Sequence, residues 1–174
     1  MIALKQVLVA TDFSDASEAA LRYGRALAHA FGATLHVIHV VPDVLSLPWS
    51  GPPETGPAGT LQHDWEQHAR DRIALMLTER DRLVLRAQIA VRSGDPVRQI
   101  VEYAMSHGID LAVLGTRGRG PVAHILLGSV AERTVRFAPC PVLTVRPHQH
   151  EFVTEVAAEA AARPAPVTPE LVGA

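Results

Sequence analysis

Leu111-Ala112-Val113-Leu114-Gly115-Thr116-Arg117-Gly118-Arg119-Gly120 runs from four consecutive apolar residues straight into a glycine-rich turn. The apolar run is too short for a helix and does not alternate, so it reads as a strand covered on both faces, which places it in the middle of a parallel sheet. Val7-Leu8-Val9-Ala10 has the same character near the start of the chain. Working outward from these two, Gln6 to Ala10, Thr34 to Val41, Arg86 to Val91, Leu111 to Leu114 and Val142 to Val145 are the expected strands. Segments of helical periodicity separate them, the pattern of a parallel sheet with helices on both faces.

The helices have readable ends. Ser14 or Asp15 is placed to cap a helix with Ala16, Ala19, Ala20, Tyr23, Leu27 and Ala30 on one face, stopped by Gly32. Asp95-Pro96 is a cap followed by proline at the first helical position, with Gly108 as the stop. Leu61 to Arg82 carries Leu61, Trp65, Ala69, Ile73 and Met76 along one stripe. Residues 42–60 hold five prolines and three glycines and read as a surface loop. One domain is expected over 1–147, with a mobile tail over 148–174 whose Ala/Glu-rich piece offers little apolar surface.

Bulk properties narrow the function classes. With 174 residues, 48% of them hydrophobic, and a formal net charge of −2, the chain suits one globular domain with no overall attraction to nucleic acid or anionic membrane. No run of ~18 apolar residues occurs, and no secretory leader is evident at the amino end. Cys140 is the single cysteine, so an intramolecular disulfide is impossible and a reducing, cytoplasmic setting is expected.

The chemistry is expected where the glycine-rich turn leaves its strand. Backbone N–H groups of such a turn, and of the helix that begins near Gly128-Ser129, can approach a phosphate closely, with the helix dipole adding to the attraction. Arg117 and Arg119 add positive charge, and the Ser129 hydroxyl can donate to a phosphate or join a metal's coordination shell. If the first strand neighbours Leu111 to Leu114, then Asp12 faces this turn across the crevice at the sheet's switch point, where its carboxylate can accept ribose hydroxyls or help hold a divalent cation. A local turn role before Ser14 is an equal alternative for Asp12. Neither GxxxxGK[ST] nor a glycine fingerprint after the first strand is present.

Taken together, Val7-Leu8-Val9-Ala10-Thr11-Asp12-Phe13-Ser14, the His39-Val40 strand end, Ser93-Gly94-Asp95-Pro96, and Gly115-x2-Gly118-x9-Gly128-Ser129 closing with Cys140-Pro141-Val142 resemble the universal stress protein family, in its ATP-binding branch, over residues 3 to 147. The resemblance implies a five-stranded parallel sheet in the order 3-2-1-4-5, of the Rossmann-like adenine nucleotide alpha hydrolase-like kind. It implies ATP, or ADP or AMP, held by Thr11, Asp12, the Val40 backbone, Gly115, Arg117, Gly118, Arg119, Gly128, Ser129 and Val130, with Mg²⁺ near Asp12 and Ser129. It also implies a homodimer through 142–145, whose apolar edge invites pairing, and a regulatory role toward a protein partner the residues do not identify. Two departures stand out: Ala10 where many relatives carry proline, and the long 42–60 loop.

No residue offers itself as a base for an attacking water, so a dedicated enzyme is not expected, although slow ATP hydrolysis is compatible with the site. The rival readings are a dimeric interaction module that uses the fold without nucleotide, and an AMP-forming enzyme, which would need a glycine- and serine-rich loop after the first strand. His36 and His39 stand at odd spacing on one strand and point to opposite faces, which excludes joint metal binding. His148 and His150 read as solvated, and Cys140 as a small packed side chain.

Overall fold

The computed structural model describes residues 3–44, 58–116, 128–147 and 153. Five strands, β1 (Gln6–Ala10), β2 (Thr34–Val41), β3 (Gln88–Ser93), β4 (Leu111–Gly115) and β5 (Val142–Val145), form one sheet in the order β3-β2-β1-β4-β5, every pairing parallel. The helices are α1 (Asp15–Phe31), α2 (Ala58–Met76), α3 (Glu79–Leu83), α4 (Pro96–Ser106) and α5 (Ser129–Phe137).

Strand parity sorts the core into two layers. Val7, Val9, Leu35, Val37 and Val113 pack with α1 and with Ile73 of α2 on one face. Leu8, Ile38, Ala112 and Leu114 pack with Ile100, Tyr103 and Ala104 of α4 and Ala131 of α5 on the other. β1 and β4 are covered on both sides, as their unbroken apolar runs require. The α1-side core also includes Val153, at 8% exposure, so it draws on a residue beyond the expected boundary at 147.

Helix α1 meets the sheet at two glycines where a side chain would not fit. A Cβ on Gly24 would sit 2.2 Å from Val9 Cγ2, and one on Gly115 would sit 2.6 Å from the backbone carbon and oxygen of Ala16. One glycine is on the helix above β1; the other is on β4 beneath the helix's first turn. Gly115 lets the β4 backbone approach the backbone of α1, and Gly24 lets the helix backbone rest on the Val9 side chain.

The expected caps are in place. Ser14 forms a capping box with Ser17, Gly32 adopts φ 65° at the end of α1, and Asp95 accepts from the Arg98 N–H with Pro96 following. Three expectations require correction. The periodic stretch Leu61 to Arg82 is two helices, because Thr78 forms a second capping box with Asp81 and interrupts it. Asp81 also accepts the Arg25 Nε–H at 2.9 Å, tying the new helix start to α1. The third strand begins at Gln88 rather than Arg86, since Arg86 takes φ 49° and cannot join a ladder. Helix α2 begins at Ala58, inside the expected 42–60 loop, so Gly59 and Thr60 are helical.

His36 and His39 lie on opposite faces, as their spacing demands. His36 is buried, with Nε2 against Gln6 Oε1 at 2.7 Å and Nδ1 against the Tyr103 hydroxyl at 2.9 Å. An amide oxygen can only accept, so Nε2 carries the proton and Nδ1 accepts from Tyr103. Burial, aided by nearby His107, lowers the His36 pKa from 6.5 to about 4.

Two predictions follow from this packing. Unfolded His36 takes up a proton near pH 6.5 that the folded chain refuses until about pH 4, so stability falls as pH drops through that window. Urea unfolding across it should show His36→Asn with a pH slope shallower by one proton; identical slopes would refute the assignment. Gly24→Ala should cost about 1–3 kcal/mol through overpacking against Val9. In a double-mutant cycle Val9→Ala should recover part of that loss.

Candidate nucleotide site

The crevice at the carboxyl ends of β1, β2 and β4 is built by the β1–α1 turn, the tip of β2 and the start of α5. Thr11 holds the turn together. Its N–H donates to Ile38 O at 2.9 Å, its carbonyl accepts from His39 Nδ1 at 2.7 Å, and its hydroxyl lies 3.0 Å from Ser17 Oγ while accepting the Phe13 N–H. Since Ser17 Oγ gives its own proton to Ser14 O, the Thr11 hydroxyl is the donor in their contact. Both backbone polar groups of Thr11 are therefore engaged with β2 and its hydroxyl proton with Ser17, which makes this residue an anchor for its neighbours.

Asp12, half-buried, follows directly. Its Oδ1 accepts from the Ser14 N–H at 3.1 Å and the Ser14 hydroxyl at 2.5 Å. Oδ2 takes no hydrogen bond among the described residues. The local turn role and the ligand role weighed against each other in sequence are thus divided between the two oxygens: one orients the carboxylate and the other can accept.

Val40 contributes backbone. Ile38 directs its carbonyl toward β1, and Val41 directs its own toward Gly94 on the β3 side. By the alternation of a parallel ladder, Val40 turns its N–H and C=O toward β1. The β1–β2 register ends at Ala10↔Ile38, so these groups project past the end of the pairing, where a flat base edge can meet them.

Across the crevice, Gly115 fills a structural role. It is the position at which β4 touches the first turn of α1, and any Cβ there meets Ala16 backbone. Thr116 follows: its N–H donates to Val145 O at 2.8 Å and its carbonyl accepts the Gly128 N–H, so the end of β4 is bonded to the start of α5. Arg117, Gly118 and Arg119, expected in the site, lie outside the described residues.

Helix α5 starts with Gly128 as its cap, at φ −65° and ψ 148°, and among the described residues no side chain caps it. Its first intrahelical bond runs from Glu132 N to Gly128 O, which leaves the N–H groups of Ser129, Val130 and Ala131 without intrahelical acceptors. Beside them, the Thr116 hydroxyl is buried with no hydrogen-bond partner among the described residues. Donors left open in this way at a helix start form an anion site. Thr116 was missed in the sequence reading because its flanking glycines drew the argument; a hydroxyl directly after a central strand was the available signal.

The residues present fit a nucleotide. They fit a bare metal less well: among the described residues no group of three or more His, Cys, Asp or Glu could hold one. A phosphate-borne Mg²⁺ needs only one or two protein oxygens, which Asp12 Oδ2 and the exposed Ser129 hydroxyl could supply. Cys140 is half-buried with its pKa raised, chiefly by burial, as suits a packed thiol.

The model of the universal stress protein family matches residues 3–146. The chain belongs to the universal stress protein family. A universal stress protein of Thermus aquaticus is 36% identical over 146 residues, covering 82% of this chain and 98% of that one. Among solved structures, the universal stress protein UspA from Lactobacillus plantarum superposes with a TM-score of 0.70 at 27% identity, covering 84% and 100% of the two chains. A universal stress protein in complex with cAMP gives 0.54 at 27% identity, covering 83% and 99%. The fold of this universal stress protein is accordingly the Rossmann-like, adenine nucleotide alpha hydrolase-like arrangement, with the strand order expected from the sequence.

The state of Thr116 yields a prediction. Thr116→Val keeps the shape and removes a hydroxyl that is unpaired without ligand, so thermal unfolding of the free protein should be unchanged or shifted upward. If that hydroxyl faces the phosphates, nucleotide affinity should fall by about tenfold. Lower stability without ligand would show that the hydroxyl has a partner within the fold.

Proposed function

We propose that this universal stress protein is an adenine-nucleotide-binding regulatory protein that holds ATP, or ADP or AMP, between the β1–α1 turn and the start of α5. The observation that carries the reading is the first turn of α5, which has no side-chain cap among the described residues, following on Thr116, whose carbonyl holds the Gly128 N–H and whose buried hydroxyl has no hydrogen-bond partner among them. In this reading the phosphates rest on the Gly128, Ser129 and Val130 segment, the ribose hydroxyls donate to Asp12, and the base edge meets the Val40 backbone. Gly115 and Thr11 set the spacing between the two walls. Arg117, Gly118 and Arg119 complete the phosphate side on the strength of the family resemblance. The cAMP complex of a relative supports an adenine ring as the base.

Mg²⁺ accompanies the phosphates, with Asp12 and Ser129 as its nearest protein oxygens. No side chain in the described crevice is set up as a base for an attacking water, so the proposed output is a change of surface on occupancy, with at most slow hydrolysis. The proposed setting is the cytoplasm. Among the described residues no helix is long and apolar enough to cross a membrane. The proposed assembly is a homodimer through β5, an edge strand with half-buried Val142, Leu143 and Thr144, beside the exposed Val135 and Phe137 of α5.

The test is chromatography of nucleotide released by acid from freshly purified protein, then titration calorimetry with Mg²⁺-ATP on wild type and on Gly118→Ala with Gly128→Ala, with light scattering on the same samples. Co-purified adenine nucleotide, or binding lost in a folded double variant, is the expected result. Absence of both at millimolar ATP would replace the reading with a nucleotide-independent interaction module. A monomer mass at micromolar concentration would reject the dimer.

A further inference from the structure

On the other side of the β1–α1 turn lies a second cleft, of about 430 Å³, walled by Asp12, Phe13, His39, Trp65, His68 and Arg72. It shares only Asp12 with the nucleotide crevice. The two are separated by strand parity: His39 and Val41 point to the α1/α2 face of the sheet, whereas Val40 and Thr116 lie on the α4/α5 side.

Its walls have a definite chemistry. Trp65, His68 and Arg72 recur at three- and four-residue spacing and so occupy one face of α2. Phe13 adopts φ 62°, the left-handed region, which is uncommon for a bulky residue. In that conformation its ring lies 4.4 Å from the His39 ring, centroid to centroid, with the Arg72 guanidinium 3.9 Å over it. With its carbon over the ring, the guanidinium keeps N–H groups that donate no hydrogen bond among the described residues and can meet an acceptor. Four ring systems, Phe13, His39, Trp65 and His68, and the Arg72 guanidinium share a cleft whose volume falls within the range of small-molecule pockets.

We infer that this cleft is a second ligand site, distinct from the nucleotide crevice, for a small planar aromatic acid whose ring packs among Phe13, His39 and Trp65 and whose anionic group is held by Arg72. His68 adds a donor to the same end. Asp12, also in the lining, favours a ring that carries an N–H or hydroxyl and disfavours a second negative charge.

The sequence holds two tryptophans, and Trp49→Phe leaves Trp65 as the sole indole reporter. In that background, ¹⁵N-labelled protein is titrated with indole-3-carboxylate and with its neutral analogue indole-3-carboxamide, following the Trp65 indole signal and the heat of binding. The carboxylate should move that signal and bind about tenfold more tightly than the amide. Arg72→Gln should erase the difference, and Arg72→Lys, which keeps charge but loses the planar fork, should fall between. Saturating Mg²⁺-ATP should leave the carboxylate's affinity within about twofold. A Trp65 signal unmoved at millimolar carboxylate, equal affinity for acid and amide, or an unaffected Arg72→Gln variant would overturn the proposal. Competitive displacement by ATP would also overturn it, by making the cleft part of the nucleotide site. Wild-type failure to bind ATP in the preceding calorimetry would leave the carboxylate arms standing on their own.

Discussion

The seating of α1 against β1 and β4 is the contact on which the rest of the molecule depends. Two positions that admit no side chain, Gly24 over Val9 and Gly115 under Ala16, bring helix and sheet together. Because the first turn of α1 rests on the end of β4, the β1–α1 turn is held at a fixed height above the sheet. Asp12 inherits that height, and so does the distance from its carboxylate to the start of α5. A conventional helix-on-sheet spacing would lift the turn away from the glycine-rich segment and widen the crevice. The Gly115 of the phosphate motif is thus explained by packing before any ligand is considered.

The same turn shows how a short polar sequence can serve structure and chemistry together. Thr11, Asp12, Ser14 and Ser17 exchange hydrogen bonds within seven positions, and the network consumes nearly every donor they have. What it leaves over is one carboxylate oxygen, an acceptor on a preorganised arm. An acceptor held in this way loses little freedom when a ribose hydroxyl arrives, which is the benefit of preorganisation in binding.

Much of this was legible in the sequence because local signals agreed with the global pattern. Continuous apolar runs marked β1 and β4 as central, and cap residues marked α1 and α4, since both signals report short-range physics that packing does not override. The breaks came where a long-range contact decided the outcome. Thr78 ends α2 because its capping box with Asp81 is reinforced by Arg25 from a distant helix, and no periodicity in 61–82 announces that. Arg86 looked like strand by composition, and only its left-handed backbone removes it from the ladder. In the proposed site, the place of Asp12 just past β1 and of Val40 near the end of β2 was legible from the sequence. The commitment of Thr11's polar groups and the orphaned hydroxyl of Thr116 were not, because hydrogen-bond satisfaction is a property of assembled neighbours.

Parity along β2 carries the argument one step further. A strand alternates its side chains and also alternates the sides to which its backbone groups point, so three successive residues at its tip can serve three destinations. His39 sends its ring toward Phe13 and braces the Thr11 carbonyl from the α1 face. Val40 sends its side chain into the opposite core and its backbone past the end of β1. Val41 returns to the first face and bonds β3 through Gly94. A one-residue slip in the β1–β2 register would exchange these roles, taking His36 away from Tyr103 and putting an apolar side chain where His39 braces Phe13. Register in this sheet therefore fixes the site as firmly as it fixes the core: both clefts at the carboxyl edge take their walls from the residues by which β2 outruns β1.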